Sequence, residues 1–126
     1  MRRSSGVLLP VSALPSPHGI GTLGEEAYRF LDFLAAAGQR YWQILPLGPT
    51  SIGDSPYQPF SSHAGNPYFI DLDALVRAGL LTGEEVSAPD WGSGPARVDY
   101  GKIYAARLPV LRRAFDRAGA ALRAEA

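Results

Sequence analysis

Aromatic and short polar side chains alternate along residues 48–67, a segment rich in glycine, proline and serine. Flat aromatic faces can stack on a pyranose ring, and short polar groups can hydrogen-bond to its hydroxyls. Loops of this length are usually functional or disordered. The composition therefore predicts a sugar-binding surface. The side chains that could form it are Tyr57, Phe60 and Tyr68 together with Asp54, Ser55, Gln58, Ser61 and Asn66.

Cleavage of a glycosidic bond would need two carboxyl groups flanking it, about 5 Å apart in a retaining enzyme. The acidic side chains near the loop are Asp54, Asp71 and Asp73, and none has an evident carboxylate partner. Asp54 follows Gly53 at a position where aspartate commonly orders a turn through its own backbone. Asp71 and Asp73 have the positions of strand-end and helix-cap residues. We therefore predict no catalytic residue in this chain.

The elements before the loop have the pattern of a βαβ unit. Thr22 and Glu25 have capping-box spacing at the start of a helix, and Gly38 stands where a left-handed helix end is expected. The second strand follows the helix almost at once, which favours parallel strands. The predicted elements are a strand over 6–11, a helix over 23–37 and a strand over 41–46.

The predicted fold class is α/β, and its parallel strands determine where the long loop lies. Loops that follow the carboxyl ends of parallel strands form the ligand face of α/β sheets and barrels. Residues 12–21 and 48–67 both follow such strand ends. We expect residues 48–67 to be a substrate loop on that face.

Residues 72–126 form a helical remainder. A brief helix should start at Leu72 and stop at Gly79, and Thr82 with Glu85 has capping-box spacing for a second one. Pro109 either kinks the last helix or marks its start. The last helix carries an apolar seam that must bury against something: Tyr104, Leu108, Leu111, Phe115, Ala118 and Leu122. Its arginines predict a solvated face: Arg107, Arg112, Arg113, Arg117 and Arg123.

A series of short motifs resembles, in order, the amino-terminal part of the 4-alpha-glucanotransferases, the amylomaltase or disproportionating-enzyme family. The motifs span residues 6–10, 14–17, 19–21, 33–39, 41–43, 45–50, 53–58, 64–68, 70–72 and 98–100. The resemblance implies that residues 1–126 are the N-terminal portion of a (β/α)8 TIM-type barrel, incomplete in this chain. It also implies transfer of 1,4-alpha-glucan segments to an acceptor glucan with retention, without cofactor or metal.

Family members are several times longer, and their catalytic carboxylates belong to segments beyond the point corresponding to Ala126. The resemblance therefore implies that this chain alone is inactive. The implied partner is a maltooligosaccharide or a starch- or glycogen-type glucan. Two alternatives remain open: a non-catalytic alpha-glucan-binding module, and a fragment without a function of its own.

The resemblance also assigns substrate-binding residues. It places Tyr57 at the sugar subsite of the cleaved bond and Ser55 at the adjoining glucose, with Asp54 and Gln58 completing the predicted set. Some relatives present a tyrosine at the position of Ile52 to a remote second glucan groove, and Tyr104 matches its aromatic companion. Ile52 departs from that pattern, so the second groove is not implied here.

Composition narrows the function classes. Twelve Lys and Arg balance twelve Asp and Glu, so no overall field attracts nucleic acid or an anionic membrane. The absence of cysteine excludes disulfides and thiol catalysis and fits a reducing compartment. No apolar run approaches the roughly 20 residues of a membrane span. These features predict a cytoplasmic protein without nucleic-acid or membrane partners.

Three further patterns have ordinary structural interpretations. His18 and His63 lack metal-ligand spacing and are expected as surface or packing residues. Residues 19–24 match the nucleotide-binding pattern Gly-x-Gly-x-x-Gly, but no acidic residue ends the second strand, which favours a helix-entry role. Core packing is expected for Phe30, Phe33, Tyr41 and Trp42.

Overall fold

Along the chain, one helix lies between two strands, and three further helices follow. The computed structural model describes residues 3–50, 53–61, 63–92, 94 and 97–124, with side chains as far as residue 120. The elements are β1 (Gly6–Leu8), α1 (Glu25–Ala36), β2 (Tyr41–Gln43), α2 (Leu72–Arg77), α3 (Gly83–Ser87) and α4 (Tyr100–Ala124), with 3₁₀ turns at Val11–Ala13 and Pro67–Phe69.

Strands β1 and β2 pair in parallel, as the βαβ pattern predicted. Both are shorter than expected. Pairing extends one residue further, where the Leu9 amide donates to the Gln43 carbonyl at 3.0 Å. It stops at Pro10, which has no amide hydrogen to donate. The described residues thus form a two-stranded α/β unit, and a closed barrel is not visible in them.

Helix α1 begins two residues later than its capping box predicted. Its N-cap is Gly24, without a side-chain hydrogen bond, so the prediction that Thr22 caps the helix was wrong. The preceding residues bind other segments instead, because Gly21 donates to the Ser12 carbonyl and Leu23 to the Phe69 carbonyl. These long-range bonds hold residues 21–23 outside the helix. At the other end, Gly38 adopts the predicted left-handed conformation.

Close chain crossings account for glycines of the 19–24 pattern. Gly19 has a positive φ of 77°, and a side chain there would overlap the Trp91 carbonyl oxygen. A side chain at Gly24 would overlap the Asp71 carboxylate. The pattern therefore serves packing at these two positions, in agreement with the helix-entry interpretation.

A small core lies between α1 and the sheet. Its buried residues are Val11, Leu14 and Ala27. The Trp42 ring packs edge-on against Phe30 at 5.1 Å, and its indole nitrogen donates to the Leu9 carbonyl at 2.8 Å. Core packing was also predicted for Phe33 and Tyr41. Their side chains are 62% and 65% exposed, so this prediction was wrong. Both project from elements whose outer faces meet no other described segment closely enough to cover them.

The larger core joins the helices of the second half to the loop after β1. Its buried members are Ile20, Tyr68, Leu72, Leu81, Val86, Trp91, Ile103, Val110 and Ala114. The short helices carry the predicted caps. Asp71 accepts a hydrogen bond from the Asp73 amide at 3.1 Å, and Thr82 and Glu85 form a reciprocal capping box.

Helix α4 buries a different face from the one predicted. Ile103, Arg107, Val110 and Ala114 are buried, whereas Leu108 and Phe115 of the predicted seam are exposed. Two apolar stripes lie side by side on this helix, and the neighbouring elements cover the one that includes the arginine. The prediction of a solvated face therefore fails at Arg107, although Arg112, Arg113 and Arg117 are exposed. The side chains of Leu122 and Arg123 lie outside the described set.

Pro109 lies inside α4, nine residues after its start at Tyr100. The alternative that the helix begins near Pro109 is therefore wrong. Proline lacks the amide hydrogen that would bond to the preceding turn.

Candidate functional site

The substrate loop is closed at its base by contacts between its two ends. The Asn66 amide donates to the Leu47 carbonyl at 2.8 Å, and the Asn66 side chain accepts from the Tyr68 amide at 2.9 Å. Gly48 lies against Pro59, where a side chain on the glycine would be only 2.9 Å from the proline ring. The described parts of the loop, residues 48–50, 53–61 and 63–67, are thus anchored to the end of β2.

A cleft of about 140 Å³ lies where β1 and β2 end. The segments after the two strands contribute Ser12 and Leu47, and the loop contributes Asp54 and Asn66. Tyr100 closes one side from α4. The cleft therefore lies at the carboxyl ends of the parallel strands, the expected ligand face.

Asp54 lies close to two tyrosines from later in the chain, Tyr68 and Tyr104. The Tyr104 hydroxyl donates a short hydrogen bond to its carboxylate, and the rings of Tyr68 and Tyr104 are 5.4 Å apart. Burial first, and then the Asp54 charge, raises the pKa of Tyr68. Burial likewise dominates at Tyr104, with the Asp54 hydrogen bond raising its pKa further. All these phenols stay protonated at neutral pH and can serve as hydrogen-bond donors.

The backbone at Asp54 has a positive φ of 55°, a conformation that aspartate tolerates better than most residues. Its carboxylate is held by a side chain from α4, a contact that is distant in the sequence. Sequence reasoning did not supply this tyrosine partner, and the role of Asp54 in ordering the turn through its own backbone stays a prediction. Ile52, the other residue of the predicted second-groove pair, lies outside the described residues.

Ser55 and Tyr57 share a tight turn. The Tyr57 amide donates to the Ser55 hydroxyl at 3.3 Å, and the Gln58 amide donates to the Ser55 carbonyl at the same distance. The Tyr57 side chain is 68% exposed. The turn thus presents the aromatic face outward, and Phe60, three residues later in the loop, is exposed as well. An exposed aromatic face on a turn held by hydrogen bonds is a suitable platform for a sugar ring.

The other two carboxylates near the loop have structural partners. Asp71 caps α2 and lies 3.5 Å from the Arg77 guanidinium. Asp73 contacts the His18 ring nitrogen at 3.0 Å. His18 is buried and packs edge-on against Trp91, so it is a packing histidine as predicted.

Arg107 is the polar residue that sequence reasoning missed. Its side chain is fully buried and donates to the carbonyls of His18, at 3.2 Å, and Ile70, at 2.6 Å. Its guanidinium lies 5.8 Å from the Trp91 ring. Burial lowers the pKa of Arg107 to about 10, and Asp71 and Asp73 oppose that shift. The one available signal was its 4–3–4 spacing with Ile103, Val110 and Ala114.

Arg107 connects the two segments that border the ligand face. His18 belongs to the loop after β1, and Ile70 follows the substrate loop. Tyr104, three residues earlier on α4, holds the substrate loop through Asp54, and Tyr100 lines the cleft together with Ser12 of the first loop. Helix α4 thus holds both loops with side chains on successive turns.

The described part of the chain offers neither a cluster of metal ligands nor a membrane-spanning helix. No group of three or more His, Asp or Glu side chains within it could hold a metal ion. Nor does any helix within it combine the length and apolarity needed to cross a bilayer.

Residues 9–126 match glycoside hydrolase family 77, described as 4-alpha-glucanotransferase. The chain is 57% identical over 116 residues to a 4-alpha-glucanotransferase of Streptococcus pneumoniae, a match covering 92% of this chain and 23% of that protein. It is 53% identical over 113 residues to the 4-alpha-glucanotransferase of Thermus thermophilus, covering 90% and 22%. The amylomaltase from Streptococcus agalactiae, solved in complex with acarbose, superposes with a TM-score of 0.88 at 47% identity, over 91% of this chain and 23% of that one. The chain therefore spans less than a quarter of the length of these relatives.

Proposed function

Because the chain belongs to the 4-alpha-glucanotransferase family, glycoside hydrolase family 77, we propose that it forms the amino-terminal, glucan-contacting part of a (β/α)8-barrel enzyme. That enzyme transfers 1,4-alpha-glucan segments to an acceptor glucan with retention. Its substrate is a maltooligosaccharide or a related alpha-glucan. The observation that carries the proposal is the exposed Tyr57 face on a turn fixed by Ser55, beside the carboxyl ends of two parallel strands.

Tyr57 and Ser55 have separate roles in this proposal. The Tyr57 ring stacks on a glucose unit, because its face is exposed while its backbone is held by the Ser55 hydroxyl. Ser55 has hydroxyl lone pairs beyond the one that accepts from Tyr57, so it can also meet a sugar hydroxyl. Gln58 lies on the same exposed turn, and Asp54 keeps the turn in place through Tyr104.

The chemical step is assigned elsewhere in the enzyme. Retention needs one carboxylic acid to protonate the leaving oxygen and one carboxylate to attack the anomeric carbon. Asp71 and Asp73 serve a helix cap and a histidine contact, and Asp54 serves the loop. The acid and the nucleophile therefore come from segments that the longer relatives have and this chain lacks. The proposal places the enzyme in the cytoplasm, which cell fractionation would test.

The binding role of Tyr57 can be tested by titrating the 126-residue chain with acarbose and with maltoheptaose. Calorimetry or NMR measures the affinity. Tyr57→Ala should weaken binding about tenfold, equivalent to the roughly 1.4 kcal/mol of a lost aromatic contact. Tyr28→Ala is the matched control, because Tyr28 is 66% exposed but lies on α1 away from the loop. Equal affinities of the two variants would contradict the proposed role of Tyr57.

A non-catalytic glucan-binding module is the second candidate, because the exposed Tyr57 face on the Ser55 turn needs no carboxylate to bind a sugar. Both candidates predict glucan binding by Tyr57. They differ in the native gene product, which is a longer chain that disproportionates maltotriose in the first case. A native product of this length that binds glucan without converting it would favour the module.

A further inference from the structure

The Tyr104 hydroxyl contacts the substrate loop at two separate points. It donates to the Asp54 carboxylate, directly before the turn at Ser55. It also lies 3.4 Å from the Thr50 hydroxyl, near the start of the loop. Because the Tyr104 hydrogen is given to Asp54, Thr50 is the donor in the second contact. One side chain of α4 thus bridges two positions of the loop.

Two neighbouring tyrosines hold the Tyr104 ring. Tyr68, just after the loop, lies 5.4 Å from it between ring centroids, and Tyr100, one turn earlier on α4, lies 5.9 Å away. Tyr68 is itself buried, and its amide is bonded to the Asn66 side chain. The Tyr104 hydroxyl is therefore presented to the loop by a ring that is packed on both α4 and the end of the loop.

The backbone just before the Ser55 turn needs a contact of this kind. Gly53 has a φ of 86° and Asp54 a φ of 55°. Glycine adopts such angles freely, whereas a residue with a side chain adopts them at a cost. Such a conformation persists when the surrounding structure holds it in place. Tyr104 supplies that hold to Asp54 from outside the loop.

We propose that Tyr104 is a positioning residue for glucan binding, because its hydroxyl keeps the substrate loop in the conformation that presents Tyr57 to the sugar. The inference rests on the proposed function. It differs from the second-groove role that the resemblance attaches to this position, since the hydroxyl acts through Asp54 and not on a glucan. Without the hydroxyl, the loop would visit other conformations. Affinity would then fall with the fraction of molecules whose loop is still competent to bind.

Tyr104→Phe tests the proposal, because it removes the hydroxyl and keeps the ring against its two tyrosine neighbours. Tyr28→Phe is the matched control, since Tyr28 is 66% exposed and lies on α1. Both variants are made in the 126-residue chain. NMR relaxation of the backbone nitrogens measures the order of the loop without glucan, and titration with maltoheptaose measures affinity.

Tyr104→Phe should loosen the loop and weaken binding together. The order parameters of the Ser55, Tyr57 and Gln58 amides should fall from about 0.85 to below about 0.6. Affinity should fall about tenfold, as expected when the competent loop is populated about a tenth of the time. Tyr28→Phe should change neither quantity. Equal affinities of the two variants would overturn the proposal, even if Tyr104→Phe lowered the stability of the fold.

Variants of Asp54 test whether the Tyr104 hydroxyl acts through its carboxylate. Asp54→Ala removes the acceptor and should weaken binding about tenfold. Asp54→Asn keeps an accepting oxygen and tolerates the same backbone angles, so its loss should be smaller. Combining Asp54→Ala with Tyr104→Phe should cost no more than either alone, because both break one bond. Losses that multiply to about 100-fold would overturn the proposal, since independent effects add in free energy.

The loop measurement separates this proposal from the proposed function. If the wild-type chain does not bind maltoheptaose, the proposed function is rejected, and the order parameters alone decide the role of Tyr104. A loop that loosens in Tyr104→Phe then supports the hold, and a loop as ordered as in Tyr28→Phe overturns it. If Tyr57→Ala weakens binding and Tyr104→Phe does not, the proposed function stands and the role of Tyr104 is rejected.

Discussion

Substitution of Arg107 should destabilise this fold more than any exposed arginine would. The side chain is fully buried and bonds to two carbonyls from different segments, those of His18 and Ile70. Its remaining nitrogen, Nε, is buried without a partner in the described structure. Arg107 therefore stabilises the fold through two strong hydrogen bonds and destabilises it through a buried charge.

The size of each effect follows from the structure. The lowering of the Arg107 pKa from its ordinary value to about 10 corresponds to a cost of about 3 kcal/mol for keeping the charge buried. Each hydrogen bond from a charged donor contributes about 1.5–3 kcal/mol, and each buried carbonyl left without a donor costs about 1–3 kcal/mol. Arg107→Met removes the charge and both bonds and leaves both carbonyls without a donor, so we expect a net loss of at least about 2 kcal/mol in the free energy of unfolding.

Arg107→Lys should be worse than Arg107→Met. Lysine keeps a charge that is costly to bury, but its compact ammonium cannot span two carbonyls as the planar guanidinium does. We expect a loss of about 3 kcal/mol or more. Arginine stays charged at neutral pH, because a folded pKa of about 10 is well above it. The protons bound by the folded and unfolded states differ only above about pH 10, so the loss in Arg107→Met should not vary between pH 6 and 8.

Urea unfolding of the 126-residue chain measures these losses, with circular dichroism and tryptophan fluorescence as probes. Trp91 contacts the guanidinium, so part of the fluorescence comes from the site, the rest from Trp42. The control is Arg112→Met on the same helix, where the side chain is 73% exposed and a change within about 0.5 kcal/mol is expected. Arg107 variants indistinguishable from this control, or lysine milder than methionine, would refute the reasoning.

Two further predictions concern a surface ion pair and two glycines. The bidentate Arg117 contact holds the pKa of Glu85 at about 2, below its usual 4.5, so Glu85 stabilises the fold above pH 4.5 and loses this effect as the pH falls through about 2. Thermal melts should show Glu85→Gln less stable than wild type at pH 7 and equal to it near pH 2; a constant difference would contradict the ion-pair explanation. Gly19→Ala and Gly38→Ala both meet left-handed strain of about 1–2 kcal/mol, but only the first also overlaps a backbone atom, the Trp91 carbonyl oxygen. Gly19→Ala should therefore unfold at the lower urea concentration. Equal unfolding midpoints would show that the backbone at Trp91 shifts easily to make room for a side chain at position 19.

Local sequence signals succeeded where both partners lie within a few residues. The capping box of Thr82 and Glu85 forms as predicted, because its two hydrogen bonds close within one turn. The same pattern at Thr22 failed, since long-range bonds from Gly21 and Leu23 hold that segment outside the helix. A capping motif thus predicts a helix start when no tertiary contact competes for the same backbone.

In the candidate site as well, the local features were predictable from the sequence and the distant contact was not. The composition of residues 48–67 was enough to predict the loop, and a parallel strand pair was enough to predict its edge of the sheet. The contact that holds the loop was not predictable, because Tyr104 lies 50 residues from Asp54. Whether Tyr57 binds glucan stays a prediction, which the proposed titration tests.

The sequence alone determined the family, the parallel βαβ unit and the long loop that follows it, because these depend on local patterns and on motifs in a fixed order. Only the tertiary structure decided which stripe of α4 is buried. Two apolar stripes of similar character were available, and the neighbouring segments cover the one that carries Arg107. The carbonyls of His18 and Ile70 make that choice possible, since they supply the hydrogen bonds without which a buried guanidinium would be prohibitively costly.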